Sequence, residues 1–395
     1  MTAPSENPIW GPDWPEVRAL WPLDPNFTHL NHGSFGAVPI PVLQEQERWR
    51  RAMDENSSGF FFRTLPDALE GARLAAAEFV KADAEGFVFI PNATHAVNTV
   101  LASIDLHPGD EVLLTDHAYG AVRLAAERAC KLAGALCVVQ PVPLPTQGQD
   151  ELFESVMSGV TGRTRLAIVD HISSPTALVF PVERLVKELR RRGVVSLVDG
   201  AHAVGMVDVD LAELDPDFWT GNFHKWCCSP RGSAGFYVRA ERRELTAPLV
   251  TSWHSLEGMV RAFSWTGTAD YTPYLAVPAA LEFMGKLGWE RVREHNRELA
   301  AFGSEVLSKT IGTPPPVAVP DGLFEAMSLA ELPAGTVNSK DAAEALSKRI
   351  AQELRVEVSI SFWRDRGFVR LSAQAYNAPA EYERLADGLP GMLEV

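Results

Sequence analysis

The sequence predicts an α/β fold: a large domain built on a mostly parallel sheet covered by helices, followed by a smaller α+β C-terminal domain. Three observations lead there. From Phe87 onward, short apolar runs alternate with stretches of helical periodicity, the pattern of a parallel sheet with helices on both faces. After about Asp270 the alternation gives way to long helices and then to strands. The chain has 395 residues, more than one hydrophobic core usually supports. The expected division is 1–20 as an N-terminal extension, 21–270 as the large domain and 271–395 as the small one.

In chain order, residues 1–20 read as an extended lead-in, because the start is polar and proline-rich. The stretch Leu30-Asn31-His32-Gly33-Ser34-Phe35-Gly36 has glycines where backbone must pass close to something. His32 and Ser34 in it are candidate substrate contacts. Helices are expected from about Pro41 to Glu55 and from Pro66 to Val80, the second carrying Ala72, Leu74, Ala75 and Phe79 near helical spacing. The alternating region follows, with strands at Phe87–Ile90, Glu111–Thr115, Ala135–Gln140, Arg165–Asp170 and Val194–Val198. Helices are expected between them from Ala93 to Ile104, Tyr119 to Leu132 and Val182 to Arg192. In the small domain, helices at about Thr272–Lys286 and Trp289–Ser308 precede a bend at Pro314-Pro315-Pro316. Strands at Phe324–Glu331, Arg355–Ser359 and Phe368–Leu371 come next, with covering helices from Ser339 and Pro379.

Composition narrows the function. Hydrophobic residues make up 46% and charged residues 22%, as in ordinary globular chains. A net charge of −15 argues against nucleic acid or an anionic membrane as a partner, since both require a basic face. No apolar run has the length of a membrane span, and the N-terminus lacks a signal-peptide pattern. The cysteines, Cys130, Cys137, Cys227 and Cys228, form no CxxC pair, so a reduced cytoplasmic protein without a metal centre is expected.

The chemistry centres on two segments. Val198-Asp199-Gly200-Ala201-His202 ends one strand with a carboxylate, and Gly221-Asn222-Phe223-His224-Lys225-Trp226 follows the next with an amine. In parallel sheets, ligands sit beyond the carboxyl ends of the strands. A lysine that can bond an aldehyde and a carboxylate that can keep a pyridine nitrogen protonated are what pyridoxal phosphate requires. Each segment alone would pass for an ordinary turn or loop; the pair, each preceded by a strand, is specific.

Other strand ends supply candidates around that cofactor. Asn92-Ala93-Thr94 stands at a helix start, where free N–H groups and a hydroxyl suit a phosphate, although Asn92 would also serve as a plain N-cap. His117 or Tyr119 could stack on the ring. His171 could touch the ring hydroxyl or the substrate. His202 falls where it would meet the ring hydroxyl, and His224 where it would meet the phosphate. Arg370 lies inside a predicted strand, which is costly unless it is paired. A substrate carboxylate would pair with it in fork geometry, and an internal ion pair with Asp365 or Glu383 is the alternative. Phe60 to Phe62, Trp253, His254 and Trp363 could line a substrate pocket.

On these motifs, together with Phe61-Phe62-Arg63-Thr64-Leu65-Pro66, Thr115-Asp116-His117-Ala118-Tyr119-Gly120-Ala121 and Leu287-Gly288-Trp289-Glu290-Arg291, the chain resembles the class V aminotransferase family of pyridoxal phosphate fold type I enzymes. Within that family it is most similar to the isopenicillin N epimerases. The resemblance covers nearly the whole chain. It implies Lys225 as the Schiff-base lysine and Asp199 as the ring-nitrogen partner. It implies phosphate contacts from Ala93, Thr94, Asn222 and His224, and from Thr268 of a neighbouring subunit. It also implies Arg370 as the α-carboxylate clamp and a homodimer that shares its active sites. The family's cysteine desulfurases carry a reactive Cys shortly before that Arg; here the segment Ser359 to Gly367 has none. The expected reaction is epimerisation or racemisation at Cα, with Lys225 as base and Tyr119, His117, His254 or water as acid on the opposite face. A carbon–sulfur lyase is the alternative, and transamination ranks third.

Overall fold

The computed structural model describes residues 10–314 and 322–393. Its centre is a seven-stranded sheet in the order β2-β8-β7-β6-β5-β3-β4. The strands are β1 (Thr28–His29), β2 (Phe87–Ile90), β3 (Glu111–Thr115), β4 (Leu136–Gln140), β5 (Thr164–Asp170), β6 (Val195–Asp199), β7 (Phe218–Gly221) and β8 (Ala234–Val238). Later in the chain come β9 (Met327–Glu331), β10 (Val356–Glu357), β11 (Ser359–Trp363) and β12 (Arg366–Ser372). Strands β3 to β7 pair in parallel, and β8 runs antiparallel to both of its neighbours.

The central strands are buried on both faces, so they read as unbroken apolar runs such as Val112-Leu113-Leu114 and Leu166-Ala167-Ile168-Val169. One face packs on helices that include Leu65–Phe79 and Val182–Arg191; the other packs on Ala93–Ser103 and Gly120–Ala133. A second sheet, β11-β12-β9, is antiparallel and is covered by the helices Trp289–Ile311, Lys340–Leu354 and Pro379–Leu393. The N-terminal strand β1 does not join the large sheet: it pairs with β10, far along the chain. Among the described residues, no helix is long and apolar enough to cross a membrane.

Several sequence expectations need correction. The lead-in is helical where described: Gly11–Asp13 forms a 3-10 turn and Trp14–Arg18 a short helix. Prolines 12 and 15 sit in the first helical turns, where a missing N–H costs nothing. Trp10, Val17 and Trp21 then bury against Met284, Val292 and Tyr376. The expected helix Thr272–Lys286 breaks at Ala276 into Thr272–Leu275 and Val277–Leu287. Pro278 starts the second piece, because its ring would clash with the carbonyl one turn back. The strand expected over Arg355–Ser359 divides between two sheets, as β10 and the start of β11. The helix Gln149–Ser158 and strand β8 were not foreseen. The bend at Pro314-Pro315-Pro316 lies mostly outside the described residues.

Candidate active site

The loop after β7 carries Lys225. Its Nζ is 3.0 Å from His202 Nε2. Burial, and then the Arg370 charge, pull its pKa down to about 7, with Asp199 acting the other way. Close approach of backbone makes this possible: a Cβ on Gly36 would lie 2.5 Å from the carbonyl oxygen of His224. That is why the glycine-bearing segment can pass directly beneath the lysine.

Asp199 ends β6, nearly buried. Burial lifts its pKa above the ordinary range, and the Ala201 N–H that Oδ1 accepts at 3.0 Å works against this, as does Lys225. Beside it, in register on β5, stands Asp170, whose Oδ2 is buried with no hydrogen-bond partner among the described residues. His202 follows Asp199 by one tight turn, and burial holds its ring well below the usual histidine pKa. Its Nδ1 accepts the indole N–H of Trp226 at 3.3 Å.

Arg370 projects from β12, 4% exposed. One guanidinium nitrogen donates to the Ser174 carbonyl at 2.6 Å and to its hydroxyl at 3.1 Å; the other donates to Ser34 Oγ at 2.7 Å. Its Nε has no hydrogen-bond partner among the described residues. Among the described residues no carboxylate pairs with it, so the internal ion pairs weighed with Asp365 and Glu383 do not form. Burial lowers its pKa to about 10. A buried cation held only by neutral groups is costly unless an anion arrives.

The start of the helix Ala93–Ser103 faces the same edge. Asn92 caps it by accepting the His95 N–H at 2.9 Å, so the plain capping role applies to its side chain. The Ala93 N–H donates to Asn222 Oδ1 at 3.0 Å, tying this helix to the lysine loop. Thr94 has no such tie among the hydrogen bonds of the described residues. His224 uses Nδ1–H on the Ser233 carbonyl at 2.8 Å, which leaves Nε2 free; burial lowers its pKa to about 4. His171, just after β5, has a buried Nδ1 with no hydrogen-bond partner among the described residues.

Of the remaining candidates, His32, His117 and His254 are placed differently from expectation. His32 is fully buried behind Lys225, not in front of it. Its Nε2 donates to the Lys225 carbonyl at 2.9 Å and its Nδ1 meets the Tyr376 hydroxyl at 2.8 Å, so no nitrogen is left for a substrate. His117 is equally occupied, by Thr176 Oγ1 at 2.6 Å and the Val142 carbonyl at 2.9 Å, and its ring rests on Trp363 at 4.6 Å. Of the His117 and Tyr119 pair, Tyr119 is the exposed one, within electrostatic reach of Arg370. His254 and Thr268 are not gathered with Lys225 in the same chain. They line a separate cavity of about 1200 Å³ together with Phe61, Phe62, Trp253 and Trp265. His254 there bonds Glu257 at 2.8 Å.

Sequence reasoning passed over Asp170 and Trp226. The first was legible, because β5 and β6 both end in Val-Asp, as Val169-Asp170 and Val198-Asp199.

The chain is similar to several known proteins. The chain is 37% identical to the isopenicillin N epimerase of Amycolatopsis lactamdurans over 95% of this chain and 98% of that protein. It is 30% identical to a probable chloroplastic L-cysteine desulfhydrase of Arabidopsis thaliana, over 94% of this chain and 84% of that protein. It is 28% identical to the hercynylcysteine sulfoxide lyase of Schizosaccharomyces pombe, over 80% and 83%. Its fold matches that of the cystine C–S lyase C-DES in complex with cysteine persulfide, with a TM-score of 0.78 and 21% identity over 95% of this chain and 98% of the other. The model of the aminotransferase class-V family matches residues 45–385. The chain therefore belongs to the class-V aminotransferases, a family of enzymes that use pyridoxal phosphate.

Proposed function

We propose that this protein is a pyridoxal-phosphate-dependent epimerase or racemase acting at the Cα of an amino acid or of an amino-acid unit in a larger substrate. The observation that carries the proposal is the buried Arg370, uncompensated by any carboxylate among the described residues and paired across the site with a lysine whose pKa is lowered to about 7. The residues fit the cofactor. An amine, a buried carboxylate and the start of the helix Ala93–Ser103 converge, and unpartnered polar atoms of His171 and Arg370 point to a polar guest. When bound, the cofactor supplies an electron sink that makes a Cα proton removable.

In this reading Lys225 holds the cofactor and then moves the Cα proton. Asp199 keeps the ring nitrogen charged, and His202 offers Nε2–H to the ring hydroxyl. Thr94 and His224 bind the phosphate, and Arg370 grips the α-carboxylate. Tyr119 is favoured for ring stacking and as the opposite-face acid, since His117 has no free nitrogen and His254 lies elsewhere. The solvent-facing Phe62, Trp253 and Leu256 favour a homodimer in which Thr268 crosses to the partner's phosphate site.

A carbon–sulfur lyase is the second reading, favoured by the desulfhydrase and sulfoxide lyase relatives. It would use the same Lys225. The desulfurase route is disfavoured: β11 and β12 are joined by only Arg364-Asp365, with no room for a mobile cysteine-bearing loop. The deciding experiment incubates the enzyme with candidate amino acids in deuterated water. Deuterium at Cα with inverted configuration supports the epimerase. Pyruvate, ammonia and a released thiol support the lyase. Neither outcome with any substrate would sink both.

A further inference from the structure

Trp226 follows the lysine directly and is buried. An indole N–H can only donate. Its partner, His202 Nδ1 at 3.3 Å, must therefore offer a lone pair. The ring is neutral, because burial and the nearby Arg370 charge oppose its protonation. Its single proton is thus on Nε2, the nitrogen 3.0 Å from Lys225 Nζ. An N–H aimed at an amine needs the amine's lone pair. We propose that Trp226 is a positioning residue: its indole N–H selects the Nε2–H tautomer of His202, and that tautomer holds Lys225 in its unprotonated form.

The indole is held still. It packs against the His32 ring at 5.1 Å. Gly205, at φ +88°, lets the next chain segment approach so closely that a Cβ there would lie 2.7 Å from the Trp226 carbonyl carbon. The tautomer is consequently set by a rigid donor and not by solvent. The inference rests on Lys225 being the cofactor-binding amine, and it adds the reason that this amine stands ready at neutral pH.

The test uses full-length protein freed of cofactor and labelled with nitrogen-15 histidine. Two-bond proton–nitrogen spectra report each ring's tautomer, and the His202 signals are those missing in His202→Gln. Wild type should show Nε2–H with an acceptor Nδ1. Trp226→Phe, which keeps the bulk and removes the donor, should bring in the other tautomer. In parallel, the pH profile of Lys225 modification by an amine-directed reagent should centre near 7 in wild type. In Trp226→Phe, reactivity well below pH 7 should fall roughly fivefold, the loss of one hydrogen bond to the free amine. His202→Gln, whose amide can accept from the indole and donate to the lysine, should keep the wild-type profile. An Nδ1–H tautomer in wild type overturns the proposal without any variant being needed. So does an unchanged tautomer and profile in Trp226→Phe. Failure of the lysine assignment would register separately, as cofactor absorbance surviving Lys225→Ala.

Discussion

Asp170 and Asp199 end adjacent parallel strands in register, and both carboxyls are buried. Two like charges so placed do not both form. Asp199 has the Ala201 N–H to favour its charge, while burial, then the Asp199 charge, push the Asp170 carboxyl well above the carboxylate range. Asp170 therefore keeps its proton. A carboxyl raised in the folded state binds a proton that the unfolded chain has lost, so stability falls as pH climbs from about 4. Asp170→Asn should flatten that decline, raising the melting temperature at pH 7 to 8 while changing it little at pH 4. Thermal melts across the range check this; parallel wild-type and variant curves would contradict it.

Lys225 gives a second pH dependence. With its pKa lowered to about 7, the amine is free above that value and charged below it. Capture of pyridoxal phosphate by the cofactor-free protein should be flat above pH 7 and fall about tenfold per unit below it. The linkage has the opposite sense to that of Asp170: a depressed lysine pKa makes the cofactor-free fold gain stability as pH rises from about 7 toward about 10. Stopped-flow absorbance and melts read the two effects.

Arg370→Gln should cost about 3 kcal/mol of carboxylate binding, or roughly 100-fold in kcat/KM. Amines without a carboxylate should react equally poorly with both proteins. Because the Arg370 charge helps depress the Lys225 pKa, the same variant should also move the capture profile to higher pH. Arg370→Lys should restore the charge effect but not the fork geometry.

The tip of the β11–β12 hairpin is fastened to the loop after β3. Arg364 pairs with Asp116 at 2.5 Å, and the Trp363 indole N–H donates to the Asp116 carbonyl at 2.9 Å. Trp363→Phe should lose about 1 kcal/mol of stability in denaturant titration. Since β12 carries Arg370, KM for the amino acid should rise more than kcat falls.

The solvent-facing Phe62 and Trp253 are 82% and 88% exposed. Sedimentation should find a dimer for wild type. Phe62→Glu combined with Trp253→Glu should give a monomer that binds the cofactor weakly; a wild-type monomer with full cofactor affinity would refute the shared site.

Much of this fold is legible in the sequence because its central strands are buried on both faces. Glu111 to Thr115 can be read to the residue, since nothing polar interrupts its apolar run. Strand β8 escapes notice because Ala234-Gly235 opens it and turn residues precede it. The Lys225 and Asp199 pairing follows from strand-end position alone. Direction does not. His32 and His117 occupy motif segments as promising as any other, yet their rings turn inward to carbonyls that only the tertiary structure brings near. Arg370 was readable because a cation in an apolar strand demands an explanation, whereas Trp226 looked like one more core aromatic.

Strand β1 and the Asn31 to Ser34 turn leave the ribosome early, but their partners emerge last: β10 for pairing and Arg370 for Ser34. A nascent chain thus carries its lysine loop for well over a hundred residues of synthesis before Arg370 can close beside it. Chemistry at this centre is a property of the finished polypeptide, because Ser34 and Arg370, which meet at 2.7 Å, lie near opposite ends of the chain.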